Sequence, residues 1–161
     1  KYLKMRFSYT QILIVAFFLL SYFSASAQFQ FGGGMKFNTN NQFKALGLNA
    51  KIGKDISEKF DINVDVAYYL ATKASWSFDF NLHYRLFNLD DKLILNPTAG
   101  INFTRTDFDK DSNSVLNNSL NLGVSLRVPT DKYTYYIEPQ WILDNGQFVF
   151  SVGVLYPTIS R

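Results

Sequence analysis

His83 is the only histidine in a chain of 161 residues, and it alternates with Asn81 and Arg85. An imidazole set beside a hydroxyl and an acid could act as a general base. Placed on the polar face of its strand with Asn81 and Arg85, His83 reads as one member of a hydrogen-bond network. Asp107-Phe108-Asp109-Lys110-Asp111-Ser112-Asn113 offers oxygen ligands at Asp107, Asp109, Asp111 and Asn113, the alternation a hard cation wants. Ser112 stands where such a loop needs glycine, and Asn118 where it needs a bidentate glutamate. We read the segment as a solvated acidic loop, with a weak calcium site as the alternative. Gly32-Gly33-Gly34 leads into no helix, which excludes a phosphate loop. Asp61 and Asp65 share one face and could mimic an acid/base pair, but lysine and arginine neighbours favour structural pairing. No residue is assigned to catalysis, to a metal or to a cofactor.

These side chains lie on segments with a period of two. Phe60-Asp61-Ile62-Asn63-Val64-Asp65-Val66-Ala67-Tyr68 puts apolar residues on even numbers and acids on odd ones. Trp76–Leu86 and Leu120–Val128 alternate in the same way. Alternation of this kind marks strands with one apolar and one polar face. It predicts eight strands, over 29–38, 44–53, 60–70, 76–87, 93–105, 116–128, 132–143 and 147–156. The connections carry turn chemistry, most clearly Asn145-Gly146, where both residues tolerate positive φ. Pro97 and Pro139 fall inside strands and each removes a ladder donor, so a bulge is expected at one or both.

Before the strands, a basic head after Met5, an apolar run Ile12–Phe23 and Ser24-Ala25-Ser26-Ala27 describe a secretory signal peptide, 1–27, cleaved before Gln28. Met5 is taken as the start. The apolar run is shorter than the ~17–25 residues of a membrane-spanning helix. The formal charge of +3 belongs to Lys1, Lys4 and Arg6, since the remainder carries as many basic as acidic residues. No basic surface is left to argue for nucleic acid. An exported chain with no cysteine must be held by a core or by a membrane.

Three patterns decide which face is outward. The polar face is mostly small or amide, with Gln30, Asn49, Asn63, Asn81, Asn96, Thr98, Asn102, Asn121, Ser125 and Gln140, suited to a narrow interior. Its charges balance as Lys36, Lys51, Arg85 and Arg127 against Asp61, Asp65, Asp79 and Glu138; turn positions put Asp61 opposite both Lys51 and Arg85. Confined charges need such partners. The apolar face grades from aromatic ends to an aliphatic middle. Phe37, Phe43, Tyr68, Trp76, Phe78, Phe103, Trp141 and Phe148 mark one end, and Phe29, Phe60, Tyr84, Tyr133, Tyr135 and Tyr156 the other. Two girdles around an aliphatic belt match the two interfaces of a bilayer.

Signal peptide, absence of cysteine, eight alternating strands and paired girdles resemble the small outer-membrane barrels of the OmpA-transmembrane-domain and OmpX type. The resemblance covers residues 28–161 by pattern rather than by a diagnostic motif. It implies an all-β fold, a closed antiparallel eight-stranded up-and-down transmembrane β-barrel, with both termini periplasmic and four loops outward. It implies contact with outer-membrane lipids and the barrel-assembly machinery, and leaves room for an unidentified envelope partner. A terminal aromatic is usual in such barrels, whereas here Tyr156 precedes Pro157–Arg161. The expected role is structural or interactive, in the bacterial outer membrane, non-enzymatic and without cofactor, since eight strands leave no porin-sized channel. The alternatives are a soluble lipocalin-like barrel around an apolar ligand, a narrow ion path, and a lipid-modifying enzyme that would need His83.

Overall fold

In a computed structural model of the chain, residues 29–39, 45–70, 74–90, 92–106, 115–143 and 146–157 are described. The candidate signal peptide and Asp107–Asn113 lie outside them. The strands are β1 (Phe29–Asn38), β2 (Ala45–Asp55), β3 (Phe60–Tyr69), β4 (Ala74–Tyr84), β5 (Phe87–Leu89), β6 (Leu93–Thr106), β7 (Val115–Pro129), β8 (Thr134–Ile142) and β9 (Gln147–Pro157). Every pairing is antiparallel, and all join chain neighbours except β4 with β6 and β1 with β9. β4 and the short β5 both pair with β6, so together they form one stave. The ring therefore closes with eight staves, and among the described residues no open sheet edge is left to recruit another chain.

The registers also set the pitch of the barrel. One circuit runs from Phe29 to Lys54, Ile62, Leu82, Ala99, Leu122, Trp141 and Phe148. It returns to β1 at Thr39, whose N–H donates to the Phe148 carbonyl at 2.9 Å. The return lies ten residues from the start, which is the shear of the barrel. With ordinary strand spacings, eight strands and this shear give a tilt of about 40° and a radius of about 8 Å. Such an interior is filled by side chains.

Alternation places the two faces as the charges require. Even positions of β1, β6 and β8 and odd positions of β2, β3, β4, β7 and β9 point inward, where Lys36, Asn63, Asp65, Asn81, Ser125 and Glu138 are buried. Leu48, Ile52, Phe80, Leu120, Ile137 and Val152 point outward and are exposed, Leu48 to 58%. This inversion rules out an apolar lumen among the described residues, so a lipocalin-like ligand has no greasy cavity here. The outward rings gather at the ends. Trp141 lies 6.4 Å from Phe148 and Phe78 6.3 Å from Phe103 at one end. Phe60 lies 5.2 Å from Tyr84, and Tyr156 6.0 Å from Phe31, at the other.

The prolines behave differently from expectation. Register runs unshifted through Pro139, where only the ladder to β7 lapses between Ile137 and Gln140. Pro97 keeps its register with β7, and the irregularity is on the stave opposite it. His83 pairs with Thr98 but Phe87 pairs with Leu95, so one extra residue is accommodated at Arg85-Leu86. Arg85 N–H there turns to the Lys59 carbonyl at 2.7 Å and Leu86 N–H to Leu95 at 3.0 Å. A missing proline donor leaves one carbonyl of the facing strand without its bond, and that strand is free to bulge. The bulge splits the stave expected over 76–87 into β4 and β5. A second shift sits between Ala74 and Trp76. The β5–β6 turn places Asp90 at φ 49°, and Gly146 has φ 57°, both left-handed positions these residues tolerate.

Candidate functional site

The lumen holds the chain's unusual chemistry: a column of buried ionisable groups contributed by six strands. Lys36 on β1 is 1% exposed and reaches between Asp79 and Asp65, whose Oδ1 lies 3.3 Å from Nζ. Asp79 Oδ1 also accepts from Asn102 at 2.6 Å and Asn121 at 3.3 Å. Asp65 Oδ2 accepts from Asn49 at 2.7 Å. Each carboxylate thus has amide donors as well as a cation, which is what makes a buried charge tolerable.

Lys51 carries the column downward. It pairs with Glu138, lies 3.6 Å from Asp65 Oδ2, and sits 4.3 Å over the Tyr136 ring. Glu138 Oε1 is 3.2 Å from His83 Nε2, though out of line for a hydrogen bond. His83 Nδ1 accepts from Arg127 at 2.5 Å and lies 3.4 Å from Asp61 Oδ1. Arg127 holds Asp61 with two bonds of 3.0 Å each, the fork geometry that guanidinium and carboxylate share.

Of the residues singled out in sequence, Lys36, Lys51, Asp61, Asp65, Asp79, His83, Arg127 and Glu138 converge in the lumen. Arg85 does not. It stands at the mouth beside Asp55, 3.5 Å away, with both side chains about a quarter exposed. The expected Lys51–Asp61–Arg85 cluster is therefore corrected: Asp61 takes Arg127, and Lys51 takes Glu138 and Asp65. The physical reason is the β2–β3 turn. β2 continues to Asp55, and Ser57 Oγ accepts from the N–H groups of Lys59 and Phe60, closing the reversal over Ile56–Lys59. That slides Asp61 opposite Asp55 and leaves Lys51 opposite Asp65.

Sequence reasoning passed over Tyr69 and Tyr136, both buried inside. Tyr136 Oη receives the Asn49 amide at 3.0 Å, and Tyr69 Oη receives Ser77 Oγ at 3.4 Å. Their parity was the available signal, since Tyr69 follows Asp65 and Ala67, and Tyr136 precedes Glu138 on the same face. For catalysis the lumen offers little. Among the described residues the His83 ring has acids and Arg127 about it but no hydroxyl nucleophile within hydrogen-bond distance.

No protein-family model matches the chain, and no curated protein matches it either. Solved structures do. The N-terminal β-barrel domain of Pseudomonas aeruginosa OprF superposes with a TM-score of 0.65 at 14% identity, covering 81% of this chain and 97% of that one. A major outer membrane protein from Thermus thermophilus gives 0.60 at 10% identity, over 83% and 100%. Ail, the attachment invasion locus protein of Yersinia pestis, gives 0.53 at 14% identity, over 82% and 97%. At such identities the likeness is one of fold. Closed ring, outward apolar belt and these neighbours agree: the chain has the fold of the small eight-stranded outer-membrane β-barrels.

Proposed function

We propose that this protein is an integral barrel of the bacterial outer membrane with a structural or interaction role in the envelope, neither an enzyme nor a general porin. The observation that supports this reading most is the interlocked lumen, where Lys36, Lys51, Glu138, His83 and Arg127 bridge opposite walls across an interior of about 8 Å radius. A path so filled does not pass nutrients. The outward belt supplies contact with lipid, and the assembly machinery would be the partner during insertion. Ail, whose name records attachment and invasion, is a precedent for a small barrel of this fold in an interaction role.

The test is a deletion strain complemented by the wild-type chain. Expected are sensitised envelopes or lost surface contact, with unchanged uptake of small hydrophilic solutes and unchanged lipid A. Slowed solute uptake in an intact envelope would refute the non-porin reading, and an altered lipid A profile would bring His83 back as a catalytic candidate. The polar column from Lys36 to Arg127 favours one second reading, a narrow ion path, which single-channel recording decides.

A further inference from the structure

Outward rings at the head of β8, the end of β9 and the start of β1 form one group. Tyr133 meets Tyr135 at 5.0 Å with planes 80° apart, and Tyr156 at 6.1 Å with planes 62° apart. Phe31 lies beside Tyr156 at 6.0 Å, only 25° from parallel. Tyrosine faces set steeply to one another make a corner, an arrangement that receives a cation against its π faces. On β3 and β4, by contrast, Phe60 and Tyr84 form a tilted pair. The corner is held from two sides. Thr130 N–H donates to the Tyr133 carbonyl at 2.8 Å and Tyr133 N–H to Thr130 Oγ1 at 3.2 Å, so the β7–β8 turn fixes Tyr133. Tyr135 Oη donates to Tyr133 Oη at 3.3 Å. As an acceptor, the Tyr133 hydroxyl keeps its own proton to donate outward. The same turn carries Asp131 and Lys132, both exposed, one charge of each sign beside the rings. Toward the middle of the barrel the rings give way to an aliphatic track. Val154 pairs with Tyr135 and Val152 with Ile137, and Val152 and Ile137 are exposed on the outer face.

We propose that this corner binds the headgroup of one zwitterionic phospholipid, an ethanolamine ammonium against the faces of Tyr133, Tyr135 and Tyr156 and a phosphate oxygen at the Tyr133 hydroxyl and Lys132. With the barrel in a bilayer, as proposed above, the corner lies at headgroup level, where girdle rings stand. Asp131 and Lys132 match the two charges of such a headgroup in sign. An anionic lipid such as phosphatidylglycerol brings the phosphate without the cation and leaves the ring faces unused. The acyl chains follow Val154, Val152 and Ile137, which sets a lipid apart from a soluble amine. The belt as a whole contacts any acyl chain, whereas the corner selects the headgroup.

The experiment uses the full folded barrel in nonionic detergent, with bound lipid counted by native mass spectrometry. Phosphatidylethanolamine and phosphatidylglycerol with the same acyl chains are titrated separately. The first molecule of phosphatidylethanolamine should bind about threefold or more tightly than that of phosphatidylglycerol. Tyr133→Leu and Tyr156→Leu should each erase the preference, whereas Tyr84→Leu, in the girdle away from the corner, should keep it. In the wild-type chain, nuclear Overhauser contacts from the ethanolamine methylenes should reach the rings of Tyr133 and Tyr156 and not that of Tyr84. That measurement stands even if a leucine variant does not fold. Equal binding of the two lipids, a preference that survives in both corner variants, or full displacement by soluble phosphorylethanolamine would overturn the proposal. Failure of the outer-membrane reading itself would show separately, as a gel band that does not shift on boiling.

Discussion

At the scale of single residues, burial separates two ion pairs that look alike in sequence. Asp61 and Arg127 are buried and bonded twice, with side chains 3% and 4% exposed. Removing one partner strands a charge, which in confined surroundings costs about 3–5 kcal/mol. Asp61→Ala should accordingly lower the temperature at which the barrel loses its resistance to SDS, read as the shift of its gel band. Arg85→Ala breaks a pair at the wet mouth, worth under about 1 kcal/mol, and should leave that temperature within a degree or two. Equal effects would mean that Arg127 does not hold Asp61. The identity of the charged residues was legible in sequence, because a Lys or Asp on every second position must choose one face. Their partners were not. Asp61 and Arg127 are 66 residues apart and meet across the lumen, a contact that no local pattern encodes.

The strands obey a stricter rule, that each side chain belongs to one face and each turn sets a register. Both tryptophans, Trp76 and Trp141, are outward and stand near the same end, beside the β3–β4 and β8–β9 connections. Quenching by lipids brominated near the headgroup should therefore exceed quenching by lipids brominated near the chain terminus, and by a similar factor for each tryptophan studied alone. Deep quenching of either would displace the girdle. The seam between β1 and β9 depends on small residues. Gly34 faces the Val152 carbonyl so closely that a Cβ has no room. Gly34→Leu should block closure of the ring, leaving a chain that refolds in detergent with no heat-shifted band; full refolding yield would show that the seam can open to admit it. Strand positions were readable within a residue or two. The register was not, since extending β2 by two residues to Asp55 moves every partner on β3 by four.

For the whole molecule, the apolar belt outside and the polar column inside reverse the order of a soluble protein. The burial that normally drives folding is here provided by lipid, and the lumen is held by hydrogen bonds and ion pairs whose alternative is isolation. Purified barrel in planar bilayers should show no porin-sized conductance steps, and its band should migrate differently in SDS before and after boiling. Large steps would mean that the column between Lys36 and Arg127 moves aside. An unshifted, boiling-independent band would contradict a closed ring.

Alternation by itself determined the class of fold, the number of staves and which residues share a face, because the period of a strand is a local property of the backbone. The aromatic grading added the direction, since only a bilayer sorts rings by height. What the tertiary structure alone decided is the shear of ten, the bulge at Arg85-Leu86 opposite Pro97, and the pairing of every lumen charge. Each of these depends on how one turn slides two strands past each other, and then on a closure that carries the accumulated slide around the ring. Arg85 shows the consequence: by sequence it belongs among the lumen cations, but the bulge puts it at the mouth, leaving Arg127 to hold Asp61.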